Sequence, residues 1–110
     1  MLFRSVRWRA DSADNREYTE ALDNLRGQID QIDEEVFDLL ARRMRLADRI
    51  GEVKKANDVA ILQGGRWSDI VDKAVQQAAK LSLSEEFVKT VLEAIHLESI
   101  NRQTEIMNKD

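Results

Sequence analysis

The sequence predicts an all-α protein, and three observations lead to this fold class. None of the 110 residues is proline, and aromatic residues make up only 5% of the chain. Charged residues make up 35%, a fraction typical of helices that expose one face to water. Apolar residues recur at alternating spacings of three and four, which is the period of amphipathic helices. A 43% apolar content is enough for one core, so we expect a single domain of three helices.

The first 18 residues differ in pattern from the rest of the chain. Arginines alternate with apolar residues around Trp8, and a polar run follows from Asp11 to Glu17. Two interpretations are open: a basic-aromatic arm that contacts an anionic partner, or a linker that packs on a neighbouring domain. We favour the linker, because an exposed tryptophan is unusual in a small isolated domain. We therefore expect residues 1–18 to form an N-terminal arm or linker remnant and residues 19–110 to form the functional domain.

One long helix organises the chain, and we expect it to begin between Asp11 and Glu20 and to end near Asn57. Its apolar residues form a single seam, in which Arg43 occupies one position. The seam consists of Leu22, Leu25, Ile29, Ile32, Val36, Leu39, Leu46, Ile50 and Val53. A helix of roughly forty residues is longer than the core of one small domain requires. The seam therefore predicts the spine of a dimer.

Two shorter helices follow the long one. After a short apolar loop that ends in two glycines, helical spacing predicts a second helix from about Arg66 to Lys80. Ser84 is placed to cap a third helix, which we expect to extend to about Met107. Ser99 and Gln103 interrupt the apolar stripe of this third helix on one face.

Composition excludes several classes of function. A formal net charge of -4 argues against binding nucleic acid through phosphate contacts. The absence of cysteine excludes disulfides and thiolate chemistry, and a single histidine argues against a zinc site. No apolar run is long enough to span a membrane, and the N-terminus lacks a signal-peptide pattern. We expect a cytoplasmic protein that binds neither nucleic acid nor membranes.

Cations on the long helix predict an anion site. Arg43 and Lys54 are eleven residues apart, so they lie roughly 20° apart around the axis and about 16 Å apart along it, where long side chains can converge on one anion. A lone seam cation is most often a register device, but no seam carboxylate is available to neutralise Arg43. Arg26 lies about 25 Å from Arg43 along the helix. In an antiparallel dimer with its two-fold axis near Phe37, Arg26 of one chain would face the Arg43–Lys54 interval of the other.

These residues resemble a known family. The series LRxxIDxIDxxxxxLLxxRxxLxxxIGxxK from Leu25, followed by Arg66 and by ESINRQ at residues 98–103, resembles the all-helical chorismate mutases, the AroQ class. The resemblance covers residues 22–107. The stretches VAILQ..RW and AIHxESINxQ are also similar to the mutase domain that some bacteria carry fused to the C-terminal end of a DAHP synthase.

The resemblance implies a fold, a reaction and a mechanism. It implies three helices per chain, with the long first helices paired antiparallel in an intertwined homodimer with shared active sites. It implies the rearrangement of chorismate to prephenate, on the way to phenylalanine and tyrosine. This reaction is pericyclic and needs no metal and no cofactor. Catalysis then comes from holding the compact conformer and stabilising the charge that builds on the ether oxygen.

The resemblance also implies roles for individual residues. Arg43 and Arg26 of the partner subunit would bind the two substrate carboxylates, assisted by Ser99. Lys54 and Gln103 would hold the ether oxygen, and Lys54 would also touch a carboxylate. The remaining expected substrate-binding residues are Arg66 in the charged wall, Gln63 facing the substrate hydroxyl through its backbone, and Trp67.

Trp67 is a departure from the family pattern. Many members have glutamate after the arginine that corresponds to Arg66, where it binds the substrate hydroxyl. The fused subfamily is similar to this chain in that respect, so we expect a mutase that is weak when the domain stands alone.

Two alternatives remain open at this stage. One is an isochorismate pyruvate lyase, which would use a similar cationic pocket on the same scaffold. The other is a regulatory or dimerisation module that binds a dicarboxylate such as prephenate and signals to a fused DAHP synthase.

Overall fold

The computed structural model describes residues 12–61 and 64–109, and this part of the chain contains three helices and no strand. Helix α1 is Ser12–Asn57, α2 is Gly64–Lys80 and α3 is Glu85–Met107. The predicted all-α fold class is confirmed, and the predicted limits of the helices agree closely with the observed ones. Residues 1–11, which hold most of the predicted arm, lie outside the described residues. None of the three described helices is long and apolar enough to cross a membrane.

The chain divides after Asp38 into two units, and α1 passes from the first into the second. In the first unit, the described seam residues from Leu25 onwards are exposed. Exposed fractions of these seam residues range from 45% for Val36 to 57% for Ile32, and Phe37 beside the seam exposes 69%. Apolar side chains of this size rarely stay in water in such number, so this part of α1 presents a surface suited to a partner.

The second unit, from Leu39 onwards, has a small core of unusual composition. Met44 and Ala47 of α1 and Ala78 of α2 are its buried apolar residues. Two polar residues of α3, Ser99 and Gln103, are buried as deeply, each with 6% of its surface exposed. Buried polar groups require partners, and both residues have one on α1, Arg43 for Ser99 and Lys54 for Gln103.

Gly51 of α1 lies at a close approach to α3. A Cβ atom at position 51 would lie 3.1 Å from the Cα of Gln103 and 3.4 Å from the Cβ of Ile106. The absence of a side chain at Gly51 therefore lets α3 bring Gln103 against α1. Gly27, the other glycine within α1, has nothing within 4 Å of its Cβ position.

The helix ends are fixed by local hydrogen bonds. After α1, Asp58 adopts a left-handed conformation with φ of 55°, and the backbone N–H of Val59 donates to the carbonyl of Lys54 at 2.9 Å. At the start of α3, the backbone N–H of Phe87 donates to Ser84 Oγ at 3.1 Å. The predicted cap at Ser84 is therefore confirmed.

Candidate active site

A cavity of about 390 Å³ lies within the second unit, lined by the C-terminal half of α1, the loop after it, the start of α2 and the middle of α3. Its walls are mostly aliphatic and aromatic, with a limited set of polar groups, as in many small-molecule sites. The charged and hydrogen-bonding groups of its lining are Arg43, Lys54, Arg66, His96, Ser99 and Gln103.

Arg43 and Ser99 form one polar pair of the cavity. Arg43 Nη1 donates a hydrogen bond of 2.7 Å to Ser99 Oγ, and the Ser99 hydroxyl lies 3.7 Å from Met44 Sδ. Arg43 is half-buried because it occupies a position of the α1 seam that turns towards α3. A guanidinium has five N–H donors, so one bond to Ser99 leaves most of them for an anion in the cavity.

Lys54 and Gln103 form the second pair. Lys54 Nζ donates to the backbone carbonyl of Ile61 at 2.7 Å and to Gln103 Oε1 at 3.1 Å. These two acceptors fix the ammonium and leave its third N–H for a ligand. Because the amide oxygen of Gln103 is bound to Lys54, its NH₂ group is also available as a donor.

The first turn of α2 supplies two further residues of the cavity lining. Arg66 is exposed at the mouth of the cavity, and Trp67 beside it is half-buried. The indole ring of Trp67 stacks on the imidazole ring of His96 from α3, with ring centroids 4.2 Å apart and planes inclined by 27°. The stack joins α2 to α3 at one end of the cavity.

The charged groups that line the cavity are all positive. Three cations line it, Arg43, Lys54 and Arg66, and none of the described lining residues is a carboxylate. Buried or half-buried cations without an anionic neighbour are stabilised by a bound anion. The cavity therefore suits a ligand with more than one negative charge.

The cavity contains no activated nucleophile among the residues described. Among the described residues, the Ser99 hydroxyl accepts a hydrogen bond from Arg43 and donates to Met44 Sδ, and neither partner is a general base. The described part of the chain also has no cluster of three residues that could hold a metal ion. These groups can bind an anion in a defined conformation, and their N–H donors can point at an oxygen atom of the bound anion.

Six of the residues expected from the sequence line this one cavity: Arg43, Lys54, Arg66, Trp67, Ser99 and Gln103. Gln63 lies outside the described residues. Arg26 is an exposed residue of the first unit and is not part of the cavity lining of its own chain. The roles that the resemblance gives these residues stay predictions.

His96 lines the cavity although sequence reasoning assigned it no role. A signal was present, because His96 precedes Ser99 by three residues and Gln103 by seven. At helical spacing these three side chains share one face of α3.

Comparison with known proteins gives consistent matches. The family described as chorismate mutase type II matches residues 25–104. A 4-amino-4-deoxychorismate mutase of Streptomyces venezuelae is 30% identical over 81% of this chain and 86% of its own length. The T-protein of Haemophilus influenzae is 30% identical over 74% of this chain, which corresponds to 22% of that protein. A bifunctional chorismate mutase/prephenate dehydratase of Aquifex aeolicus is 42% identical over 52% of this chain and 16% of its own length.

Proposed function

The chain belongs to the type II chorismate mutase family, and from this premise we propose that its own reaction is the rearrangement of chorismate to prephenate. As a member of this family the chain is an isomerase of aromatic amino acid biosynthesis. The observation that carries the choice of substrate is the charge of the cavity, with three cations and no carboxylate in its described lining. Chorismate is a dianion with a neutral ring hydroxyl, and it fits this charge distribution.

Binding begins with the substrate carboxylates. Arg43 offers a planar fork that can hold a carboxylate through two hydrogen bonds, and the Ser99 hydroxyl, 2.7 Å from Arg43 Nη1, can turn to donate to the same group. Arg66 adds positive charge at the cavity mouth. Fixing both carboxylates holds the enolpyruvyl side chain over the ring, which is the conformer that reacts.

Acceleration of the bond rearrangement is assigned to Lys54 and Gln103. As the C–O bond of chorismate breaks, negative charge grows on the ether oxygen. Lys54 Nζ is held 2.7 Å from the Ile61 carbonyl and 3.1 Å from Gln103 Oε1, so its remaining N–H can meet that oxygen without reorganisation. The NH₂ group of Gln103 donates to the same oxygen from the other side. No nucleophile, proton transfer, metal or cofactor takes part in this proposal.

The amino analogue is the main competing substrate, because the relative in Streptomyces venezuelae is named for it. In 4-amino-4-deoxychorismate the ring substituent is an amine, which is a cation at neutral pH when it is not strongly perturbed. The described cavity lining offers this cation three like charges and no carboxylate. We expect kcat/KM for chorismate to exceed that for the amino analogue by at least about tenfold.

We propose a homodimer in which Arg26 of the partner subunit completes each site. Two features support it: the exposed apolar seam of α1 and the absence of Arg26 from the cavity of its own chain. Two carboxylates need two guanidinium groups to bind each through two hydrogen bonds. Arg43 is the half-buried arginine that the chain itself supplies.

A DAHP synthase is the further partner that we propose, fused or associated, with residues 1–18 as the connection and residues 19–110 as the mutase domain. The support is the resemblance of the stretches around Arg66 and His96 to the fused mutase domains. Some relatives are several times longer than the segment that matches this chain, which is consistent with fusion to other domains in this family. A cytoplasmic location is part of the same proposal, since the pathway operates there.

The experiment that tests the function is a direct assay with purified protein. Chorismate consumption is followed by absorbance, and prephenate is identified by acid conversion to phenylpyruvate. The same preparation is offered 4-amino-4-deoxychorismate and isochorismate. Turnover of chorismate alone supports the proposal. Preferential turnover of the amino analogue, or release of pyruvate from isochorismate, would replace the proposed reaction with the one observed. Binding of prephenate by a folded, inactive protein would favour the regulatory module.

A further inference from the structure

His96 continues a line of polar side chains along α3. Ser99 follows it by one helical turn and Gln103 by two, so the three lie along one face at about 4.5 Å and about 10.5 Å from His96 along the axis. All three line the cavity. The face therefore presents to the cavity a histidine, a hydroxyl and an amide in sequence.

The order of these groups places His96 at one end of the bound ligand. Gln103 is bound to Lys54, and this pair marks the end assigned to the ether oxygen. Ser99 is bound to Arg43, and this pair marks a carboxylate. His96 lies on the far side of Ser99 from Gln103. It therefore adjoins the carboxylate end of the cavity and not the ether end.

The stack on Trp67 fixes the orientation of the imidazole. Ring centroids 4.2 Å apart and planes within 27° leave the two ring nitrogens pointing along the plane, away from the indole face. No hydrogen bond joins the His96 side chain to another residue of the described chain. A half-buried ring with an N–H donor and no hydrogen-bond partner among the described residues, at the edge of a cationic cavity, is suited to an anionic ligand.

We propose that His96 is a substrate-binding residue whose ring N–H donates to the carboxylate held by Arg43 and Ser99, with Trp67 as the platform that orients it. This inference rests on the proposed function, because it takes the ligand to be the dicarboxylate substrate. It also gives Trp67 a task that needs no contact with the substrate hydroxyl.

The first test compares His96→Phe, which keeps a ring against Trp67 but removes the donor, with His96→Gln, which keeps an N–H donor. Because the lost hydrogen bond joins a donor to a charged acceptor, we expect His96→Phe to raise KM for chorismate about tenfold. We expect kcat to change little and His96→Gln to recover most of the affinity. Circular dichroism of both variants checks that the helices are intact.

A matched pair of substrates separates binding from a structural role. The two monomethyl esters of chorismate each lack one carboxylate charge. The inference requires the effect of His96→Phe to disappear with one ester and to persist with the other. Equal losses for chorismate and for both esters would show that the variant merely disturbs the cavity, and would overturn the inference.

A second measurement uses the fact that His96 is the single histidine of the chain. Its ring nitrogens can be observed by ¹⁵N NMR without assignment, and addition of prephenate should shift one of them. An unshifted ring, or a His96→Phe variant with the KM of the parent, would remove His96 from the site while the parent enzyme stays active. Failure of the parent to turn over chorismate would instead overturn the proposed function.

Discussion

Two adjacent lysines at the end of α1 have different surroundings. Lys54 reaches into the cavity, where Ile61 O and Gln103 Oε1 accept its hydrogen bonds. Lys55 turns to the carbonyls of Ile106 and Lys109 near the end of α3 and lines a separate surface cleft. The same side chain one residue apart therefore serves as a matched control for chemistry inside the cavity.

Replacing Lys54 by alanine should lower kcat by about a hundredfold or more, because in the proposed mechanism it removes the N–H donor that meets the oxygen on which charge develops. Gln103→Ala should have an effect of the same kind. Lys55→Ala should leave kcat within about twofold of the parent, since its bonds lie outside the cavity and exposed bonds contribute little. Steady-state kinetics on the three variants, with circular dichroism to verify folding, provide the measurement. Near-full activity of Lys54→Ala would contradict its assignment.

Single residues were predictable where one sequence pattern fixed both position and chemistry. Arg43 was found because a cation interrupted an apolar seam, and Ser99 and Gln103 because they interrupted another. His96 was missed although its spacing to Ser99 and Gln103 placed it on their face of α3. Its stack on Trp67, which lies 29 residues away on a different helix, forms only after folding. Spacing along one helix cannot report such a contact.

At the scale of elements, the contact between α1 and α3 depends on Gly51. A methyl group there would lie 3.1 Å from the backbone of Gln103, and a backbone atom cannot move aside as the end of a side chain can. The glycine costs α1 about 1 kcal/mol of helix propensity relative to alanine. The close approach that it allows brings the buried amide of Gln103 against Lys54.

Gly51→Ala should therefore destabilise the protein by about 1 kcal/mol, because an overpacking cost of about 1–3 kcal/mol exceeds the gain in helix propensity. Displacement of Gln103 should lower kcat about tenfold or more. Gly27→Ala is the control, since a Cβ there meets nothing within 4 Å and the position lies opposite the seam. It should stabilise α1 by about 0.5–1 kcal/mol without changing kcat. Urea unfolding and steady-state kinetics on both variants measure these effects. A Gly51→Ala protein as stable as the Gly27→Ala protein would refute the close contact.

The start of α3 offers a prediction that separates stability from chemistry. Ser84→Ala removes the acceptor of the Phe87 N–H and should cost about 1 kcal/mol. Ser84→Asp should restore the cap and add a favourable charge at the helix N-terminus. Thermal unfolding should rank the alanine variant lowest, and kcat at 25 °C should be the same for all three proteins, because the cap lies outside the cavity lining. A large loss of kcat in Ser84→Ala would mean that the cap also positions the site.

The elements themselves were predictable because each carries local signals. The apolar period gave the number of helices, and Ser84 gave the start of the third. The interactions that assemble the cavity were less accessible, because the backbone carbonyl of Ile61 leaves no pattern in a single sequence and Gly51 alone does not tell which helix approaches it. They become visible only when the loop after α1 and the face of α3 have been placed.

At the scale of the molecule, both units leave large apolar side chains in water. Leu25 and Ile29 of the first unit and Leu46 and Val53 of the second expose more than half of their surface. A second copy of the chain paired along this seam would bury these groups. Each Å² of apolar surface that is buried would stabilise the dimer by about 25 cal/mol. Such pairing would also bring Arg26 of the partner subunit to a cavity whose own-chain cations are Arg43, Lys54 and Arg66.

The proposed shared site predicts complementation between inactive variants. Arg26→Ala and Arg43→Ala should each lower activity strongly, because each removes the fork for one carboxylate from every site. In a mixed dimer both substitutions fall in one site, and the other site receives Arg43 from one chain and Arg26 from its partner. After statistical exchange of equal amounts, half of the dimers are mixed and each has one intact site. The mixture should therefore recover about a quarter of the parental activity.

The control for this experiment is a mixture of Arg43→Ala with Lys54→Ala. These two residues line the same cavity of the same chain, so every site of a mixed dimer lacks one of them. No recovery is expected, although subunit exchange is as complete as in the first mixture. Exchange is verified by native mass spectrometry with one chain isotopically labelled. Recovery in both mixtures, or in neither after exchange, would mean that Arg26 does not act across a dimer interface, and each site would then have to bind the second carboxylate with its own chain's cations.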